Sequence, residues 1–481
     1  MEHESNEYRD QRIQNMKHLA EAGYAPFGKA FERSGRLAEI RAEFEEEKRV
    51  KAAGRLITIR DMGKSIFADL RDGSDRFQIY LGKKDVGDAV FAAFKLLDQG
   101  DHIGVEGVLF TTRTGEATLR VDQWTLLAKA LRPLPEKWHG LQDTEQRYRQ
   151  RYLDLVANPD VREFFDKRIR AIREVRGFLA DLGFAEVETP MIQTQAGGAA
   201  AKPFVTHYNA LNMDMVLRIA PELYLKRLLV GGFDKVFELN RNFRNEGLSR
   251  THNPEFTMLE IYEAYTDVRG MKTLIQDLIL HVAQAVRGSL TVGSEANPLD
   301  LTPPWREATY AELIRERMGG DWFELAPEVA RGKAEAEGLS LDPAWSPMLV
   351  THEIYEKLIE KTLRQPTFVT RFPLELIPLA KTCEDDPSVV DVFELVINGQ
   401  EVAPAYTEQN DPLEQRKRFE TQVGDDVEKL DEDFIVALEH GMPPAGGMGV
   451  GIDRLMMILM GRDSIRDAIL FPQLRSPKSA P

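Results

Sequence analysis

The side chains best suited to chemistry crowd into one stretch, Asp234 to Tyr265, which carries Arg244, Glu246, Arg250, His252, Phe256, Glu260 and Tyr262. Val236, Phe237, Leu239 and Phe243 precede a polar loop, and Phe256, Met258, Leu259 and Ile261 follow it. Apolar residues alternating on both sides of a turn predict a hairpin. Strand side chains repeat every two residues, so Phe256, Glu260 and Tyr262 share one face. Arg244 closes the incoming strand. A guanidinium clamps a phosphate or carboxylate bidentately, a flat ring stacks on a base, and an inward carboxylate calls for a cation. The combination predicts a nucleotide and an ammonium-bearing substrate held side by side. A charged hairpin taken alone is an ordinary exposed edge, so the rest of the chain has to agree with this reading.

The chain has 481 residues, enough for about three domain-sized units and a large core. Hydrophobic content of 43% and charged content of 29% are those of a water-soluble globular protein. Cys383 is the one cysteine, which excludes an intrachain disulfide and fits a reducing cytoplasm. The first ten residues, MEHESNEYRD, are polar and acidic, and no apolar run reaches membrane length. A cytoplasmic location and no membrane partner are expected. The net charge of −16 argues against a polynucleotide partner at first sight. Up to Lys137, however, basic and acidic residues balance at 23 each, so the whole excess lies in the remainder. Local patches would have to hold any nucleic acid.

Residues 1–47 read as a helical, solvated extension, with one helix over Tyr8–Ala22 and a second from Leu37. From 48 to 130 the pattern becomes short strands: Val50–Ile59, Ser65–Leu70, Phe77–Leu81, Ile103–Thr112 and Ala117–Ala128, with a helix near Val86–Leu97. Five strands with a helix between the third and fourth predict an OB-fold barrel, whose face binds single-stranded nucleic acid. The stiff ALRPLPEKWHGL junction opens a linker over 131–160.

Residues 161–182 predict an amphipathic helix with Phe165, Ile169, Ile172, Leu179 and Leu182 on one stripe, followed by a strand over Ala185–Glu188 and by Pro190. Gly197 to Phe204 is a small-residue loop able to approach a ligand closely. Glu222 opens a helix, where it can cap or bind. Residues 288–362 read as an insertion without chemistry. Glu394 and Glu401 flank a turn at Gly399 and are of the hard-ligand type that magnesium takes. Gly446 to Leu455 is a glycine-rich strand entering a helix with Arg454 at its start, a phosphate site by its dipole.

Several of these stretches resemble one family. FRNEG followed by His252 and PEFT resembles motif 2 of the class II aminoacyl-tRNA synthetases, in the form carried by bacterial lysyl-tRNA synthetases. Residues 161–190 are similar to motif 1 and 446–460 to motif 3, with motif 2 spanning about 234–265. Gly54-Arg55, MGK at 62–64 and FADL at 67–70 resemble that family's anticodon-binding barrel. The resemblance implies an α+β protein: a five-stranded OB-fold β-barrel, then a catalytic domain over 161–481 on a mainly antiparallel sheet flanked by helices. It implies that Arg244, Glu246, His252, Phe256 and Arg454 bind ATP, with Arg244 and Arg454 catalytic, and that Glu394 and Glu401 hold Mg2+. It also implies a lysine site of Gly198, Glu222, Arg244, Glu260, Tyr262, Tyr406 and Glu408. Arg60, Phe67, Gln78 and Glu116 match residues that hold the tRNA(Lys) anticodon, and Pro190 matches the proline of a homodimer interface. One position departs from the pattern: Pro404 stands where an asparagine contacting the substrate carboxylate is expected.

Three other readings share parts of this sequence, one of them a paralogue that lysylates a protein, which would share the active site yet lack the barrel. An aspartyl or asparaginyl synthetase has the same architecture but needs cations or amides in its side-chain pocket, which Glu260, Tyr262 and Glu408 are not. A non-catalytic OB-fold binding protein would not need residues 161–481. Lysine activation by ATP and transfer to tRNA is the expectation carried forward.

Overall fold

Val50, Ala52, Gly54 and Leu56 are buried in alternation with partly exposed neighbours along strand β1, Arg49–Asp61. That period of two turns one face of the strand inward. β2 (Ser65–Arg71), β3 (Arg76–Gly82), β4 (His102–Thr111) and β5 (Ala117–Ala128) follow, and the five close into a barrel in the order β1-β2-β3-β5-β4. Two short helices, Lys83–Val86 and Asp88–Phe94, lie between β3 and β4, separated at Gly87 with φ +84°. The OB-fold order read from strand count is therefore present.

The computed structural model describes residues 2–135, 141–294, 296–423 and 431–476. The chain divides into residues 1–142 and 143–481. His139 and Gly140 of the expected junction lie outside the described residues. The amino-terminal extension is less solvated than its charge runs indicate. Leu19, Leu37 and Ile40 join the barrel core, Tyr24 stacks on Trp124 with ring centres 4.1 Å apart, and Arg12 donates to the carbonyls of Gln99, Ala130 and Arg132.

The second unit is built on an eight-stranded sheet. Its strands are β6 (Ala185–Glu186), β10 (Lys235–Phe243), β11 (Glu255–Ala264), β14 (Arg306–Thr309), β15 (Thr367–Thr370), β16 (Val392–Ile397), β17 (Gln400–Thr407) and β18 (Ala445–Gly451). The order is β14-β15-β16-β17-β18-β11-β10-β6, antiparallel except for the outer pairs β14/β15 and β6/β10. A three-stranded sheet of β7 (Ile192–Gln193), β8 (Val205–Tyr208) and β9 (Met213–Leu217), and a hairpin of β12 (Thr291–Ser294) and β13 (Asn297–Asp300), complete the strands.

The helices Pro159–Asp181 and Val268–Arg287 bury apolar stripes against one face of the large sheet, meeting Phe237, Leu239, Leu259 and Ile261. Gly288, with φ +69°, ends the second of these helices. The expected stripe on the first needs correction. Phe165 and Leu179 are buried, but Ile169 and Leu182 are exposed, and the inward positions are filled by Val161, Phe164, Ala171 and Val175. The strand expected over Ala185–Glu188 pairs only at Ala185 and Glu186. With one face of the sheet covered, the other is free to carry the site.

Candidate active site

The register of the central hairpin decides what the open face presents. Asn242 lies opposite Phe256, Asn240 opposite Met258, Glu238 opposite Glu260 and Val236 opposite Tyr262. Phe256, Met258, Glu260 and Tyr262 thus share the face away from the core helices, as the spacing of two predicts. Next to β11 on that face lies the glycine-rich β18, with Glu260 paired to Gly449 and Tyr262 to Gly447.

One end of this face is an open cleft lined by Arg244, Glu246, His252, Phe256, Glu401, Pro404 and Arg454. The guanidinium carbon of Arg244 lies 5.2 Å from the centre of the Phe256 ring, and its Nε is buried without a hydrogen-bond partner. A buried donor left unpaired next to an aromatic face is what a site awaiting a planar, anionic ligand presents. Arg454, in the first turn of the helix Ile452–Leu459, donates from Nη1 to the Glu401 carbonyl at 2.9 Å, and its Nη2 lies 3.1 Å from His252 Nε2. For Nε2 to accept, the imidazole proton must sit on Nδ1, which then donates to Ser249 Oγ at 2.8 Å. Burial, reinforced by Arg454, lowers the His252 pKa below its ordinary value, in keeping with the neutral ring. Asp453, one residue earlier, ties the elements together: its Oδ1 meets Arg168 Nη2 of the long helix at 2.5 Å, and its Oδ2 accepts from the Thr257 amide at 2.8 Å.

Further along the same face is an acidic chamber. Glu222, Glu260 and Glu408 are all buried. Tyr262 donates to Glu260 Oε2 at 3.3 Å. Burial, together with Glu222, pushes Glu260 up to about 8, and burial likewise pushes Glu408 up to about 8. Gly198 and Tyr406 line the same hollow as Glu222. A Cβ on Gly198 would sit 3.0 Å from Glu222 Cβ, and one on Gly447 only 1.9 Å from Glu408 Oε1. The glycines read from the sequence as a phosphate signature therefore also form the floor beneath these carboxylates.

Glu394 and Glu401 lie on the hairpin of β16 and β17, turned at Asn398 and Gly399, both at positive φ as a type I′ turn requires. Tyr355 donates to Glu394 at 3.2 Å, and Glu360 Oε1 accepts from the Glu401 amide at 2.9 Å. Both partners belong to the segment expected to lack chemistry. Burial, then Glu401 and Glu360, raises Glu394 well above the carboxylate range; burial and Glu401 push Glu360 up to about 7. A divalent cation would relieve that repulsion, so the residues fit one. Among the described residues no group of three or more His, Cys, Asp or Glu side chains is arranged as a metal site. A cation at Glu394 and Glu401 would complete its shell from phosphate oxygens. Pro404 lies opposite Glu394, one residue before pairing with β18 begins, where a missing amide is tolerated.

On the barrel, Arg60, Phe67 and Gln78 share a shallow groove with Tyr80, Phe110 and Arg120. Phe67 pairs with Tyr80, ring centres 5.0 Å apart, and Tyr80 lies 5.9 Å from Phe110. The result is a half-exposed aromatic strip edged with arginines, the arrangement on which bases stack. Glu116 stands beside the groove: its carbonyl accepts from Thr118 Oγ1, which also donates to Gln78 at 2.9 Å. Tyr80 and Phe110 escaped sequence reasoning because their proximity to Phe67 depends on strand register. Lys226, Asp453 and Glu360 escaped it because their partners lie far along the chain. The alternation Phe77-Gln78-Ile79-Tyr80 was the one available signal, since it sends Gln78 and Tyr80 to the same face.

A hairpin with an Arg-Phe clamp, a glycine-rich strand and an Arg-bearing helix on an antiparallel sheet define a class II synthetase fold. The family described as tRNA synthetases class II (D, K and N) matches residues 143–475, and the OB-fold nucleic acid binding domain matches residues 50–127. The lysine–tRNA ligase of Moorella thermoacetica is 48% identical, over 96% of this chain and 97% of that protein. That of Pelotomaculum thermopropionicum is 49% identical over 98% and 96%, and that of Staphylococcus aureus 45% over 99% and 100%. The chain belongs to the lysine–tRNA ligases.

Proposed function

We propose that this protein activates L-lysine with ATP to lysyl-adenylate and transfers the lysyl group to the 3′-hydroxyl of the terminal adenosine of tRNA(Lys). The observation that carries this is that Glu222 and Glu408 on one hand and Arg244 of the Phe256 cleft on the other all lie close enough to Glu260 to act on its charge: carboxylates for ammonium groups beside a place for a nucleotide. An oxygen of the lysine carboxylate attacks the α-phosphorus, and pyrophosphate leaves. This step needs alignment and charge neutralisation rather than a protein nucleophile. Arg244 holds the lysine carboxylate and the α-phosphate, Phe256 stacks the adenine, and Glu246 meets its amino edge. His252 and Arg454 meet the outer phosphates. Mg2+ held by Glu394 and Glu401 would add charge neutralisation on the phosphates. Glu222, with Gly198, receives the α-ammonium, while Glu260, Tyr262, Tyr406 and Glu408 enclose the ε-ammonium. With proline at 404, Arg244 alone meets the carboxylate.

The discriminating experiment is amino-acid-dependent ATP–pyrophosphate exchange with lysine, ornithine, arginine, aspartate and asparagine. Exchange led by lysine supports the reading, and exchange led by aspartate or asparagine overturns the pocket assignment.

The proposed working parts are a barrel over 48–130 that reads the anticodon and a catalytic domain over 161–481, joined through 131–160. For the barrel, Phe67→Ala should raise the KM for tRNA(Lys) in charging by roughly 5- to 150-fold, since one base stack contributes ~1–3 kcal/mol. Lysine-dependent exchange without tRNA should not change. An unchanged KM for tRNA would remove Phe67 from the anticodon face.

A homodimer is proposed from the exposed apolar side chains near Pro190: Ile192, Val205, Tyr208 and Leu211 are each about half exposed or more. Sedimentation velocity should find twice the chain mass, and Val205→Asp should shift it toward monomer. A monomeric wild type at micromolar concentration would refute the interface.

A further inference from the structure

Lys226 has no part in the chemistry described so far, yet it is buried at the centre of the ammonium chamber. It lies one turn after Glu222 on the helix Glu222–Val230. Its Nζ is 2.7 Å from Glu222 Oε1 and 2.5 Å from Glu408 Oε2. These carboxylates sit on different elements, one opening a helix and the other just beyond the end of β17, so Lys226 is the tie between them. Burial alone would push its ammonium down; Glu222 and Glu408 outweigh that and hold it above its ordinary value.

Each carboxylate gives Lys226 one oxygen and keeps the other. Glu222 Oε2 faces Gly198, 3.7 Å from where a Cβ would stand, and Glu408 Oε1 is buried without a hydrogen-bond partner over Gly447 and beside the Tyr262 ring. The two remaining oxygens are those that would receive the α- and ε-ammonium groups. With all three carboxylates ionised, as bound lysine requires, one internal ammonium leaves two negative charges, which a substrate with two ammonium groups matches.

We propose that Lys226 is a positioning residue: by bridging Glu222 and Glu408 it sets the separation of the two receiving oxygens, and so the side-chain length of the diamino acid that the site accepts. The proposal rests on the lysine-activating reading. An unbridged pair of carboxylates would move apart or share a proton, and the spacing that disfavours a diamino acid one methylene shorter would be lost.

The test compares kcat/KM for lysine and ornithine in ATP–pyrophosphate exchange, for wild type, Lys226→Met and Lys226→Arg. In Lys226→Met the preference for lysine over ornithine should fall by roughly 10-fold or more, through the KM for the amino acid and with the KM for ATP little changed. Lys226→Arg keeps the charge but lengthens the bridge, and its preference should also fall; it serves if the methionine variant does not fold. A purely structural role would lower both substrates alike, and an unchanged preference in a folded variant overturns the proposal. Absence of lysine-dependent exchange in the wild type would instead overturn the functional reading itself.

Discussion

Replacing Arg244 by alanine should lower kcat for lysine-dependent ATP–pyrophosphate exchange by roughly 10²–10³-fold, the loss expected when one preorganised charge partner of a developing anion is removed. In the proposed reading Arg244 holds both reacting groups; it lies over the Phe256 ring with its Nε buried and unpaired. No ion pair of the sheet depends on it among the described residues, so the thermal midpoint should move by only a few degrees. The proline at 404 sharpens the expectation, since no side-chain amide there shares the carboxylate. A loss below 10-fold in a folded variant would mean that the α-phosphate and carboxylate are held elsewhere.

The second large effect concerns the ammonium chamber and has a pH signature. Glu408→Gln should cut kcat/KM for lysine by roughly 10³-fold, because a site built for a buried ammonium then faces it with an amide. In the empty site burial and Glu222 push Glu260 up to about 8, so at pH 7 it is largely protonated, whereas Glu408 faces the Lys226 ammonium. Bound lysine requires Glu260 ionised and must displace its proton. Lysine binding should therefore release protons near neutrality, and its KM should fall as pH rises from about 6 to 8.5, by at most ~10-fold per unit for each proton released. Stability moves the other way. A carboxyl raised in the folded state binds more protons folded than unfolded between about 4.5 and 8, so the empty enzyme loses stability as pH rises through that window. Calorimetry in buffers of differing ionisation enthalpy measures the release. Glu260→Gln should reduce it, and binding without proton release would show that the chamber is ionised before lysine arrives.

Much of this site was legible because it is local. Phe256, Glu260 and Tyr262 lie on one strand, and a period of two suffices to put them on one face. Arg454 follows a glycine-rich strand at a helix start, and its chemistry follows from that position. What was not legible depends on register or distance. Lys226 is one turn from Glu222, but its second partner, Glu408, comes from a strand end far down the chain. Phe67, resemblance aside, reads as an ordinary core aromatic until pairing with Tyr80 places it in the groove. Ile169 falls on the apolar period of its helix and yet is exposed, since periodicity alone does not say which residues of a broad stripe meet the sheet. The Tyr355 and Glu360 side chains lie in a segment whose composition looks like filler, and only tertiary contact gives them a role.

The floor beneath Glu408 and Glu260 has a consequence for how such a site can drift. At Gly447 and Gly449 a Cβ would come within 1.9 Å of Glu408 Oε1 and 2.7 Å of Met258 Cε. The chamber is hollowed out of positions that carry hydrogen where every other residue carries carbon. A methyl group at Gly447 and the Glu408 carboxylate cannot both keep their places, so alanine is closed to that position. Change of substrate has to travel through the walls, at residues such as Lys226 and Tyr406, while the floor stays bare.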